Sequence, residues 1–139
     1  MKKIFLTLLT LCFVASYGYC STVNSYDSYG RKIGSYKTNG ATTTSYDKYG
    51  RKTGTIKQTS SGYTTYDNKG RKTGTVRQTS NGYARYDNSG RRTETYRTTY
   101  NGRTNVYDST GRRTGSYRTD SNGRTTKYDS SGRKVGSYR

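Results

Sequence analysis

The chain has no proline, no histidine and no tryptophan among its 139 residues, and only two cysteines. Without Pro, its turns must be made by Gly, Asn, Asp and Ser. Without His, the commonest acid–base and metal-ligating side chain is missing. Cys12 and Cys20 both fall within the first twenty residues. The chain beyond them therefore has no disulfide framework, and no thiolate metal site can form. Acids are scarce as well: eight, against 26 Lys and Arg, for a net charge of +18. After residue 20 the aliphatic side chains of the Val, Ile and Leu kind are Val23, Ile33, Ile56, Val76, Val106 and Val135. So few cannot fill a two-layer core, since ordering each residue costs roughly 1.5 kcal/mol and burial returns about 25 cal/mol per Å². No helical apolar period runs through this part of the chain.

What is present begins with a leader. Lys2 and Lys3 precede an apolar run from Ile4 to Ala15, of secretory length and too short to span a bilayer. The reading is a signal peptide over 1–20, cleaved near Gly18–Cys20 and delivering a secreted, periplasmic or cell-envelope protein. Small residues at Ser16 and Gly18 suit cleavage there. Lipidation at Cys20 is the alternative, to which Tyr19 is a poor fit. No transmembrane segment is expected in the mature chain.

Residues 21–139 read as one six-repeat β-hairpin domain. Tyr-Asp, followed two residues later by Gly-Arg, starts at Tyr26, Tyr46, Tyr66, Tyr86, Tyr107 and Tyr128, in steps of 20, 20, 20, 21 and 21 residues. So regular a period marks an array of one small unit. With Tyr as position zero, position five is Arg31, Arg51, Arg71, Arg91, Arg112 and Arg133. Position six is Lys32, Lys52, Lys72, Arg92, Arg113 and Lys134, and position eleven is Lys37, Lys57, Arg77, Arg97, Arg118 and Arg139. Position one holds six of the eight acids. Stacked repeats would stack these cations into stripes, and stripes attract anionic polymers in a salt-dependent way. The candidate polyanion-binding residues are Arg31, Lys37, Arg51, Lys57, Arg71, Arg77, Arg91, Arg97, Arg112, Arg118 and Arg133. A plain solvated surface would have the same composition.

One repeat reads as strand, turn, strand, turn. Thr64 to Tyr66 favour a strand. Asp67-Asn68-Lys69-Gly70 suits a type I turn closed by a left-handed Gly. Thr79-Ser80-Asn81-Gly82 has the same turn chemistry. The rule predicts Asp67 opposite Arg71, Tyr66 opposite Lys72, Thr64 opposite Gly74, Thr79 opposite Tyr83 and Val76 opposite Tyr86. It thereby places the Tyr of position zero and the apolar residue of position ten on one face. A position-six cation is expected over that Tyr. The Gly of position eight is expected to leave a gap that a neighbouring Tyr ring covers. Glu94 replaces this Gly in the fourth repeat, and each of the two longer repeats needs a bulge to keep its Tyr on the same face. The fold class expected is all-β: an antiparallel hairpin array, either a curved single-layer meander or a spiral. Low hydrophobicity and high charge leave folding upon binding as the alternative.

The unit Tyr-Asp-x-x-Gly-Arg, with a further Gly before the next Tyr-Asp, resembles the YD repeat of the Rhs/YD-repeat family over residues 26–139. The resemblance implies hairpin repeats. In that family they build spiral shells around toxin domains, or large surface proteins with carbohydrate associations. This chain departs from the pattern: Lys or Arg follows Gly-Arg, the residue two before Tyr-Asp is not Tyr, and six repeats are too few for a shell. The shell and its cargo do not carry over.

Beyond the six Asp of the Tyr-Asp turns, Glu94 and Asp120 stand alone. No nucleophile–base arrangement or paired carboxylates can be picked out, and the glycines belong to turns rather than to a phosphate loop. The chain reads as no enzyme, with no cofactor. The leading functional reading is an exported structural or adhesive β-repeat protein binding an anionic polysaccharide or other polyanion of the envelope or extracellular space. The alternatives are a self-assembling, amyloid-like matrix subunit and a small secreted effector or remnant of a YD-repeat toxin system. Interleaved Tyr and Arg could stack single-stranded nucleic acid, but Tyr as the core is the simpler reading.

Overall fold

The Asp-x-x-Gly segments set the architecture. The computed structural model describes residues 21–139, and the leader read over residues 1–20 lies outside them. Asp67 Oδ1 accepts the backbone N–H groups of Lys69 and Arg71, each at 2.9 Å. The Asp67 carbonyl accepts the Gly70 N–H at 3.1 Å, and the Asp67 N–H donates to the Arg71 carbonyl at 2.9 Å. Gly70 has φ +80°, and the equivalent glycines lie between +77° and +84°. This backbone is left-handed and favours Gly. The expected turn, its left-handed Gly and the Asp67–Arg71 and Tyr66–Lys72 pairings are all present.

Twelve strands result: β1 Ser21–Asp27, β2 Lys32–Asn39, β3 Thr42–Asp47, β4 Lys52–Thr59, β5 Gly62–Asp67, β6 Lys72–Thr79, β7 Gly82–Asp87, β8 Arg92–Thr98, β9 Arg103–Asp108, β10 Arg113–Thr119, β11 Thr125–Asp129 and β12 Lys134–Tyr138. Each pairs antiparallel with its sequence neighbours, and β1 pairs with β12, so the meander closes into a barrel. The seam is short: Ser25–Tyr138, Tyr26–Ser137 and Asp27–Gly136. Asn24 and Arg139 extend it by exchanging backbone hydrogen bonds of 2.7 and 2.9 Å. Among the described residues no helix is long and apolar enough to cross a membrane.

Curvature comes from a bulge in every repeat. On β6, Thr73 has no partner, because Tyr66 faces Lys72 while Thr65 faces Gly74. The same slip occurs at Ile33, Thr53, Thr93, Thr114 and Val135, all at position seven. An extra residue bends the strand and sharpens its twist, which lets one sheet close upon itself.

The bulge corrects the expected register. Gly74 faces Thr65, not Thr64, and Val76 faces Tyr63 within the same hairpin; across β6 and β7 it is the far-end loop that sets Val76 against Arg85 rather than Tyr86. One inserted residue exchanges the faces of everything beyond it. Position ten points inward: Tyr36, Ile56, Val76, Tyr96, Tyr117 and Tyr138 are all buried. They pack with Tyr83 and Val106, and with the partly buried Val23 and Tyr63, in a single interior cluster. The Tyr of position zero points outward instead. The two columns lie on opposite faces of the wall.

The far-end turns fall into two kinds. Thr79 faces Gly82 and Gln78 faces Tyr83, which replaces the expected Thr79–Tyr83 pair with a two-residue loop. Gly82 has φ +153° rather than a turn value near +80°. In the longer repeats the extra residue enters the loop itself. Gly102 and Gly123 take φ +72° and +75°, closing four-residue turns from Thr99 and Asp120. Tyr107 and Tyr128 therefore keep the outward face without a further strand bulge.

The Gly of position eight meets a carbonyl, not a Tyr ring. A Cβ on Gly74 would lie 2.3 Å from the Tyr86 carbonyl oxygen, and one on Gly34 2.6 Å from that of Tyr46. Small residues here let the backbones approach.

The turn Asp residues make the fold acid-sensitive. Asp67 has its pKa lowered first by the Arg71 backbone N–H and then by the Arg71 side chain. Asp27, Asp47, Asp87 and Asp129 are lowered with the same leading cause. Asp108 is lowered first by the Thr110 hydroxyl. A carboxyl held below its unfolded value stabilises the fold above that value, and the contribution is lost as pH falls through the native one. The thermal midpoint should thus drop between about pH 5 and pH 2. Replacing Asp47, Asp67 and Asp87 by Asn should flatten that drop. A midpoint insensitive to acid would contradict the role of these turns.

Candidate functional site

The candidate cations separate into two rings. Arg31, Arg51, Arg71, Arg91, Arg112 and Arg133 sit at the Asp-turn rim of the barrel. There Arg31, Arg51 and Arg71 each hold their turn Asp through Nε at 2.7 Å. Arg91 and Arg133 do so at 3.2 and 3.1 Å, and the Arg112 backbone N–H reaches Asp108 at 2.9 Å. Exposed pairs of this kind contribute about 0–1 kcal/mol, but each one neutralises its cation.

Lys37, Lys57, Arg77, Arg97 and Arg118 stand on the outer wall. There each faces a residue of the next strand: Thr44, Thr64, Ala84, Asn105 or Thr126. Beside them runs the belt of outward Tyr. Lys57 lies 5.5 Å from the centre of the Tyr66 ring, Arg77 5.1 Å from Tyr86, and Arg97 5.2 Å from Tyr107. The cation over these three rings comes from position eleven of the preceding repeat, not from position six as expected, because the β4–β5 pairing sets Tyr66 opposite Thr55 and Lys57 opposite Thr64, one diagonal step apart. The position-six cations are exposed and face the same Tyr from the other side. Tyr66, Tyr86 and Tyr107 are therefore each flanked by two cations.

The acids are elsewhere. Six of the eight lie in the rim turns, Asp120 lies in a turn at the opposite end, and Glu94 points into the barrel. The outer wall carries rows of cations and no carboxylate. Its Thr, Tyr, Lys and Arg differ from the apolar band of a lipid-facing barrel.

Glu94 breaks the repeat pattern inside the barrel. It stands in the Gly column and faces Arg85 across β7 and β8. Glu94 Oε2 accepts a hydrogen bond from Tyr96 Oη at 2.5 Å and pairs with Arg85 at 3.2 Å. Burial first, and the Glu94 charge second, push the Tyr96 phenol far above its ordinary pKa. Burial likewise raises Tyr117, whose hydroxyl has no hydrogen-bond partner. The sequence reading treated Glu94 as solitary. Its partner left little signal, since Arg85 stands in a varied column with Ser25, Ser45, Thr65, Val106 and Lys127.

Against known proteins the outcome is brief. The chain matches no family model and no curated protein.

Proposed function

We propose that the barrel is an exported, non-enzymatic structural or adhesive protein that binds anionic polymers along its outer wall. The observation that carries this reading is the segregation of charge: cation columns flank six outward Tyr on a wall without acids, while the Asp residues neutralise Arg at one rim. Many weak contacts spread around such a wall give avidity without a pocket. Anionic polysaccharide of the envelope or extracellular space fits that chemistry, with Tyr faces beside the cations for sugar rings. Export rests on the leader read at 1–20. Kinship with YD repeats remains part of the proposal and is supported by the hairpin at each Tyr-Asp-x-x-Gly-Arg. Edge-to-edge self-assembly has less support, because the β1–β12 seam leaves no open strand edge among the described residues.

The test compares the two rings. Retention on heparin should fall steeply with salt. Replacing Lys57, Arg77 and Arg97 together by Gln should lower the slope of log affinity against log salt by roughly one per cation removed. The same change at Arg51, Arg71 and Arg91 should cost less, since those cations already hold Asp. Equal losses from the two sets, or retention independent of salt, would refute the wall as the binding surface.

A further inference from the structure

Barrel closure makes neighbours of the first and last repeats, which the sequence holds farthest apart. Both are unusual at position seven. In the middle repeats this bulge residue is Thr, and its hydroxyl is satisfied by the adjacent strand: Thr53 bonds Ser45 at 2.9 Å and Thr73 meets Thr65 at 2.8 Å. In the first and last repeats it is Ile33 and Val135, whose apolar side chains are 48% and 42% exposed. Between them a cavity of about 360 Å³ opens at the Asp-turn end of the barrel. That volume falls within the range of small-ligand sites.

The walls of the cavity are of three kinds. Ile33 and Val135 form an apolar lip, with Gly34 and Gly136 beside them and the buried Tyr36 and Tyr138 deeper in. Both glycines are held close to facing backbone, a Cβ on Gly34 or Gly136 lying 2.6 or 3.0 Å from the carbonyl oxygen of Tyr46 or Tyr26. The charge on the inner wall is Lys127, which faces Gly136 across β11 and β12 and rests 5.7 Å from the centre of the Tyr117 ring. Asp47 and Asp129 also line the opening, but their carboxylates are engaged. Each accepts two backbone N–H groups at 2.9 Å and one Arg Nε, at 2.7 Å for Asp47 and 3.1 Å for Asp129.

We infer that this cavity is a binding site for a small organic anion with a flat apolar body, its carboxylate or sulfonate meeting Lys127 and its body lying between Ile33, Val135 and the inner Tyr rings. The lip removes apolar surface from water. The half-buried Lys127 ammonium supplies a charge-assisted hydrogen bond, and the net positive barrel draws anions towards its mouth. The outward Tyr26, Tyr46 and Tyr128 also border the cavity, but its anion is held by Lys127 rather than by the wall cations, so the inference does not depend on polymer binding.

Three probes of one shape and different charge test it: naphthoate, naphthalenemethanol and naphthylmethylamine, titrated against the full-length mature chain at a salt concentration that releases it from heparin. Naphthoate should saturate one site and shift the methyl resonances of Ile33 and Val135, and the amine should bind weakest. Lys127→Gln should weaken naphthoate by about tenfold or more while leaving the alcohol nearly unchanged. Ile33→Thr with Val135→Thr installs the residue the middle repeats already use, so the fold should persist by circular dichroism. That double variant should weaken naphthoate and the alcohol alike. The inference fails if the three probes bind equally, if Lys127→Gln keeps full naphthoate affinity, or if the shifts spread over the outer wall.

Discussion

Gly82→Ala should be among the most damaging single changes in the barrel, although it adds one methyl group. Gly82 opens β7 at φ +153°, a conformation that an L side chain rarely adopts. Its Cβ would lie 2.0 Å from the Tyr96 carbonyl oxygen and 2.9 Å from the Tyr96 carbonyl carbon. Both are backbone atoms of the facing strand, so no side-chain rotation relieves the clash. The β7–β8 pairing must open, and with it the placement of Tyr96, one of the most buried side chains. A loss of about 3 kcal/mol is expected, from backbone strain together with displaced packing. Gly90→Ala is the matched comparison. Gly90 has φ +77° with nothing within 4 Å of an added Cβ, so only the left-handed strain of about 1 kcal/mol remains. Thermal or urea midpoints of the two variants decide the matter. Equal losses would mean that the close approach at Gly82 is not real.

That comparison also marks how far the sequence could be read. Asp-x-x-Gly has a local chemistry: an Asp that can accept two N–H groups and a Gly that tolerates positive φ. Those turns and the all-β class could be derived from residues a few positions apart. The bulge could not. Thr73 sits in a Thr-rich strand, where an unpaired residue leaves no mark in composition, and that single slip moved Tyr66 from the expected core face to the wall. Closure was hidden for a related reason. The β1–β12 seam depends on curvature summed over six bulges, and no pair of neighbouring residues specifies it. The cation columns were plain. Their division into a neutralised rim and an unopposed wall followed only once the register was known. Gly82 is intermediate: its turn chemistry was recognised, but the two-residue loop places it in a strand and against a carbonyl.

Tyr96→Phe and Tyr117→Phe should move stability in different directions, although the two residues occupy the same column and are equally buried. Tyr96 donates to Glu94 at 2.5 Å. Removing that hydroxyl deletes a hydrogen bond to a carboxylate, expected to cost about 1.5–3 kcal/mol. The Tyr117 hydroxyl has no partner, so its burial costs desolvation without return. Tyr117→Phe should therefore be neutral or stabilising by up to about 1 kcal/mol. Alkali provides a second readout. Both phenols are raised above the ordinary value near 10, Tyr96 by burial and then Glu94, Tyr117 by burial and then the neighbouring Tyr138. A group raised in the folded state contributes its stability fully below the unfolded pKa, and that contribution is lost as pH rises above it. Stability should decline above about pH 10, and phenolate absorbance from the interior should appear only with unfolding. Each Phe variant removes one of these groups and should make the alkaline decline shallower, even where Tyr117→Phe leaves the neutral-pH midpoint intact. If both variants lose the same stability at neutral pH, the interior hydroxyls are not arranged as described, and the Arg85–Glu94–Tyr96 group does not hold the barrel.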